Sequence, residues 1–219
     1  VSSLNNKPPM KKSLIVLSLV SSFFSASAQM VSTHAGQPGT PGFNTGTETI
    51  ANASFTSPWG IAIIKTGSFA GYMYVAEHGG HKIRLLTPTS IYTRGGWASD
   101  PSSPGAADYI NQNGINSRFN APSGIDIDAS GNLYVADYNN HVIRKVSAFT
   151  SVGNVQAIST LAGEAQTNSP MGGYVDATGS NARFLFPTDV AVAADGNIYV
   201  ADAGNHCIRK ITPNGVVTT

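Results

Sequence analysis

Two acidic residues, Asp126 and Asp189, stand out because they interrupt a pattern that otherwise repeats along the chain. Asp189 stands where two matching stretches have Gly60 and Gly124, and Asp126 where the others have Ala62 and Ala191. A carboxylate on a strand near the middle of a fold is costly unless it is hydrogen-bonded, paired or metal-bound. These two are therefore the candidate ligands of a divalent metal, although a hard cation needs several more oxygen donors than this pair supplies. Trp59 replaces Ser123 and Thr188 at a matching position and offers either a stacking platform or a packing group. His78 and Tyr138 are turn-tip residues that vary between the stretches. Trp97, Tyr109 and Tyr174 are isolated aromatics in long linkers, and these six side chains are the candidate partner contacts. His81, His141 and His206 recur in every stretch, which assigns them to the framework, since a single site has no use for three copies. No G-x-S-x-G elbow, H-E-x-x-H pair or phosphate-cradling glycine loop is present, so no catalytic residue is assigned, and no cofactor is expected apart from that candidate metal.

The elements that must position these residues follow from the repeat. Pro58, Pro122 and Pro187 recur at intervals of 64 and 65 residues, each preceded at three residues by Phe55, Phe119 or Phe184. After each proline comes an apolar alternation, as in Ile125-Asp126-Ile127. A glycine turn follows in the second and third stretches, Ser130-Gly131-Asn132 and Asp195-Gly196-Asn197. The next strand reads Tyr74-Val75-Ala76, Tyr134-Val135-Ala136 or Tyr199-Val200-Ala201. A short turn then leads to Ile83-Arg84, Ile143-Arg144 or Ile208-Arg209. A fourth strand ends in a small-residue turn such as Leu161-Ala162-Gly163, and Val31 to Ala35 reads as a further strand of that kind. Four short antiparallel strands per repeat make a propeller blade, so the fold class is all-β: a β-propeller with about three blades present and repeat cores at 55–95, 119–163 and 184–219. In such blades the turn between strands two and three shares a face with the linkers between blades. That loop-rich face is either the ligand surface or a set of spacers.

The pattern P-x-G-I-x-[IV]…G-N-[LI]-Y-V-A-D-x-x-N-H-x-I-R-K resembles the NHL repeat. It is close in the second and third stretches. It is looser in the first, where Glu77 replaces Asp, Gly80 replaces Asn and the Ile64 to Tyr72 hairpin is longer. The resemblance covers roughly Val31 to Thr219 and implies a propeller, often six-bladed, of which this chain would be half. It also implies a binding or scaffold module for a protein or glycan rather than an enzyme. The alternative it leaves open is a metal-dependent lactonase or a lyase of the peptidyl-hydroxyglycine type, with its site at the channel mouth. A fold of this kind does not fix a chemistry.

The remaining sequence bounds the setting. Met10-Lys11-Lys12, the apolar run Ser13 to Phe24 and Ala26-Ser27-Ala28 read as a signal peptide over residues 10–28, cleaved after Ala28. Residues 1–9 read as upstream sequence, and 29–219 as the propeller segment. The protein is therefore expected outside the cytoplasm, secreted or at the cell surface, with a bacterial flavour and no transmembrane segment in the mature chain. A net charge of +1 and 11% charged residues give no basic stripe, so nucleic acid is not an expected partner. The single cysteine, Cys207, has no disulfide partner in the chain and reads as a small packing group.

Overall fold

The computed structural model describes residues 32–39, 42, 48–96, 110–151, 155–164 and 172–219. The chain divides into Val1–Ser32, of which only Ser32 is described, and Thr33–Thr219, which carries the fold. The signal peptide at 10–28, the residues before it, Trp97 and Tyr109 all lie outside the described residues. No described helix is long and apolar enough to cross a membrane.

Three antiparallel sheets follow one another along the chain. The first holds β2 (Pro58–Ile63), β3 (Met73–Glu77), β4 (Lys82–Leu86) and β5 (Ser90–Gly95), with the two-residue β1 (Glu48–Thr49) paired outside β5. The second holds β6 (Pro122–Ile127), β7 (Leu133–Asp137), β8 (Val142–Val146) and β9 (Ile158–Ala162). The third holds β10 (Pro187–Val192), β11 (Ile198–Asp202), β12 (Cys207–Ile211) and β13 (Val217–Thr218). Every sheet runs in chain order through its four blade strands, as an up-and-down blade should. One expectation is corrected: Ser32 to Ala35 form no strand, and the segment's described tie is Gly36 N–H to the Ile50 carbonyl. A fourth strand needs a third to pair with, and none of the described strands pairs with this segment, whose Ala35 only packs on the first blade.

Local chemistry sets the hairpins. In the second blade Asp128 N–H reaches Asn132 O, Gly131 N–H reaches Asp128 O, and the Asp128 carboxylate accepts Ser130 and Asn132 N–H. Gly131 takes φ +85°, a left-handed position that closes a three-residue loop. The third blade repeats the turn with Asp195, Gly196 and Asn197. Pro122 and its equivalents pair with the last residue of the next strand, followed by a register shift, which spares the missing N–H of proline.

The blades meet through their apolar faces. Phe119 is buried among Tyr74, Ile83 and Leu85 of the first blade and Leu133, Val135 and Val146 of the second. Phe184 fills the next joint in the same way, between Tyr134 and Ile143 on one side and Ile198 and Val200 on the other. Phe119 and Phe184 thus each plug the joint before their own blade, while Phe55 packs half-buried on its own blade. The value of a joint shows in exposure: Ile125 and Ile143 are 6% and 0% exposed, while their equivalents on the outer flanks, Ile61 and Ile208, are 62% and 60% exposed.

A repeated ionic knot ties each blade to the segment leading into it. Arg144, fully buried, donates to Asp137 (3.0 Å), to the carbonyls of Arg118 (2.9 Å) and Ile110 (3.0 Å), and to Asn111 Oδ1 (2.8 Å). Its guanidinium lies 4.9 Å from the Phe119 ring centre. Arg209 repeats the arrangement with Asp202, Arg183 O, Val175 O and Asp176. The acids do not serve only their own turns. Asp137 and Asp202 also accept N–H groups of the lead-in residues Asn120 and Leu185, both at 2.7 Å.

The first blade carries a variant of this knot, and its two sequence departures compensate each other. Asn140 and Asn205 donate to Asp137 and Asp202 at 2.9 and 2.8 Å. In the first blade the longer Glu77 fills that space, and a Cβ on Gly80 would lie 2.6 Å from Glu77 Oε2. Glycine therefore accompanies glutamate. The pair is also looser, with Arg84 at 3.6 Å from Glu77, and burial pushes the Glu77 carboxyl up to about 7 despite the opposing charges of Arg84 and Lys82.

Candidate binding face

The turn after strand two and the lead-in to strand one meet on one face of every blade. His78 N–H donates to Ser57 O, Asn139 N–H to Asn120 O and Gly204 N–H to Leu185 O, at 2.8–3.0 Å. Ser57, Ala121 and Phe186, each directly before its proline, take φ of +49°, +55° and +50°. A positive φ is rare for residues with a side chain and is further disfavoured before proline, so each of these positions is strained. Such strain is held by surrounding contacts and brings the three lead-ins close to the turn tips.

Rings from all three blades line up on this face. Trp59 lies 4.2 Å from His78, His78 lies 5.7 Å from Tyr138, Tyr138 lies 5.0 Å from Phe186, and Phe186 lies 4.5 Å from His141, centre to centre. Trp59 is 60% and Phe186 37% exposed, while His78 and Tyr138 are half-buried. Burial lowers the His78 imidazole below its usual range, against the pull of the Pro122 and Ala121 backbone beside it. The row therefore presents neutral rings, apolar on their faces and polar at the His and Tyr edges. Three of the six aromatic candidates, Trp59, His78 and Tyr138, are thus brought together. Tyr174 is elsewhere: its ring covers Arg209 at 4.8 Å and its hydroxyl bonds Thr219 Oγ1, so it caps the third knot. Trp97 and Tyr109 cannot be placed on the face, being outside the described residues.

Sequence reasoning missed Phe186. Its signal was available, since Phe186 stands where the other repeats have Ser57 and Ala121, the same kind of departure that singled out Trp59.

The two candidate metal ligands take different roles. Asp126 accepts Ile127 N–H with one oxygen (2.8 Å) and Val192 N–H of the next blade's first strand with the other (2.7 Å). It stitches β6 to β10. Asp189 accepts its neighbour Val190 N–H (2.9 Å) and lies exposed beside Gly124, where a Cβ would stand 2.0 Å from its Oδ1. Among the described residues no three His, Cys, Asp or Glu side chains converge. These two carboxylates alone supply too few oxygens for a hard cation, and carbonyl, amide or water oxygens would have to complete such a site.

On the opposite face the hairpin tips surround a cleft of about 690 Å³, lined by Ile64, Phe69, Ile127, Phe149 and Val192 among others. The carboxylate in its rim, Asp128, is already engaged in its own turn. Lys65, Thr66, Ser68 and Ser130 also line it, so the cleft combines apolar walls with polar groups at its rim.

Serial four-stranded blades define the class as a β-propeller. Residues 119–145 and 184–211 match the NHL repeat model, and the chain is an NHL-repeat β-propeller protein. It is 30% identical over 164 residues to NHL repeat-containing protein 2 of Bos taurus, covering 73% of this chain and 21% of that protein. Over 93 residues it is 36% identical to the probable peptidyl-alpha-hydroxyglycine alpha-amidating lyase pgal-1 of Caenorhabditis elegans, covering 42% of this chain and 22% of that protein. The solved structure of a protein of unknown function from Bacteroides thetaiotaomicron superposes with TM-score 0.50 at 21% identity, over 68% of this chain and 33% of that one. The chain thus spans about a fifth of these curated relatives.

Proposed function

We propose that the chain is an extracytoplasmic binding module whose aromatic row receives a glycan or the apolar segment of a protein partner. The observation that carries this reading is the continuous line Trp59–His78–Tyr138–Phe186, contributed by all three blades and ending in exposed rings. Aromatic rings with polar edges give large contact area at low conformational cost, and Trp and Tyr dominate the energetics of protein interfaces. They also stack on the C–H faces of sugar rings. No charged side chain belongs to the row, which favours a neutral ligand. The location outside the cytoplasm rests on the signal-like segment at 10–28.

The test is a glycan array and a partner capture from culture supernatant, each run with wild type and with Trp59→Ala and Tyr138→Ala. Binding that both substitutions reduce at least tenfold supports the reading, and binding that neither changes refutes it. A second reading, a metal-dependent enzyme, is favoured by the likeness to the lyase. It predicts a stoichiometric divalent ion in the purified protein that Asp126→Ala and Asp189→Ala remove together.

A further inference from the structure

Each repeat ends its second turn in a histidine with left-handed backbone: His81, His141 and His206, at φ +52°, +56° and +56°. The first two reach into the next blade. His81 Nδ1 accepts Ala121 N–H at 2.8 Å, and His141 Nδ1 accepts Phe186 N–H at 3.0 Å. The acceptors therefore seize the two strained lead-in residues just before Pro122 and Pro187. Among the described residues the His206 imidazole, which is exposed, makes no such bond. Position and chemistry recur across 60–65 residues of separation, so the contact belongs to the repeat and not to one loop.

The bond has a protonation requirement. A neutral imidazole can accept at one nitrogen, whereas an imidazolium carries N–H at both and accepts at neither. A proton on Nδ1 replaces the bond with two N–H groups facing each other, at a residue whose backbone conformation is already unfavourable. For His141 the consequence extends to the aromatic row, because Phe186 stacks on both His141 (4.5 Å) and Tyr138 (5.0 Å).

We propose that His81 and His141 are acid-released latches between consecutive blades, and that His141 is the positioning residue that holds Phe186 against Tyr138, so that the aromatic row comes apart at its Phe186 end when His141 takes a proton. That this alters ligand binding rests on the reading of the row as the binding surface; the latch itself does not.

The surroundings favour the neutral form. Burial lowers both imidazoles below the usual 6.5. The ionisable groups acting on His81 are His78 and Lys82, which push the same way. Asp202, from the third blade, acts on His141 in the opposite sense. Gly172 and Phe186, both uncharged, lie against the His141 ring. Since the folded values lie below the unfolded one, the latch contribution is complete above the usual histidine value and is lost as pH falls through the folded value.

The test follows the Ala121 and Phe186 amides, the imidazole nitrogens and the Phe186–Tyr138 ring contact by NMR, from about pH 8 down to about pH 4.5, a range that spans histidine titration. Local signals are needed because Glu77 titrates in the same range with opposite effect on stability. The expected result is a proton on Nε2 and a bare Nδ1 at neutral pH. Phe186 amide protection should fall at least tenfold as His141 titrates, with loss of the ring contact in step. His141→Asn keeps an acceptor that does not titrate and tolerates the left-handed backbone, so it should hold the Phe186 amide protected across the range. His206→Ala should change nothing at either latch. A proton on Nδ1 at neutral pH, or equal loss of Phe186 protection in wild type and His141→Asn, overturns the latch. A ring contact that persists after the amide is released overturns the positioning role. Failure of the ligand assays above would count against the binding reading while leaving these amide measurements to decide the latch.

Discussion

Replacing Arg144 by Met isolates the worth of the buried knot. Methionine keeps an unbranched stem over Phe119, so the substitution removes the guanidinium with little loss of packing. Four hydrogen bonds disappear; the carbonyls of Arg118 and Ile110 lose the guanidinium, although Ile110 keeps the Arg118 N–H. The larger effect is on Asp137, which is fully buried and would keep only Asn120 N–H and the Asn140 amide. Stranding one partner of a buried pair costs about 3–5 kcal/mol. At roughly 2–4 °C per kcal/mol for a domain of this size, the melting temperature should drop by about 6–20 °C. Two controls define the cause. Arg183→Met breaks a pair with Glu164 in which both side chains are about a quarter exposed, and should cost at most about 1 kcal/mol. Arg144→Met combined with Asp137→Asn leaves no stranded charge and should melt above Arg144→Met alone. Thermal unfolding by circular dichroism reads all three. A drop below about 2 °C in the single variant, less than 1 kcal/mol on the same scale, would refute the stranded-charge argument, as would a double variant less stable than the single.

Ile143→Ala should lose about 2–5 kcal/mol by opening a cavity in a blade joint, whereas Ile208→Ala on the exposed flank should lose far less; chemical denaturation compares them. Gly80→Asn should destabilise the first blade by forcing a side chain onto Glu77, and Gly80→Asn with Glu77→Asp should recover stability by rebuilding the Asn–Asp bond seen in the other two blades. Because the folded Glu77 carboxyl sits near 7 against an ordinary 4.5, its contribution is present below about pH 4.5 and is lost as pH rises through about 7; stability curves of wild type and Glu77→Gln should diverge in that window. Asp126→Ala should weaken the β6–β10 stitch by about 1–3 kcal/mol, leaving Val192 N–H without its acceptor, and hydrogen exchange at Val192 reports it directly.

The sequence determined the parts of this protein that depend on neighbours in the chain. Period-two alternation, left-handed glycines such as Gly131 and Gly196, and proline at the start of each first strand specify four-stranded blades, because each acts through backbone geometry within a few residues. The spacing of the repeat, with its recurring Phe, Arg and His, was legible directly. The loop-rich face followed from the up-and-down order of the strands, and with it the nomination of the turn-tip residues His78 and Tyr138, while Trp59 stood out by replacing Ser123 and Thr188. What the tertiary structure decided are relations between blades. Asp126 looked like a metal ligand until Val192 N–H, 66 residues away, was found on its second oxygen. His141 was a repeated framework residue with no visible partner until the packing of the second blade on the third set it on Phe186, 45 residues on. The aromatic row arises in the same way. Trp59 and His78 share the first blade, but Tyr138 and Phe186 come from the next two repeats, and only the rotation from one blade to the next sets these rings within stacking distance, a quantity that depends on how Phe119 and Phe184 fill the joints rather than on any local pattern.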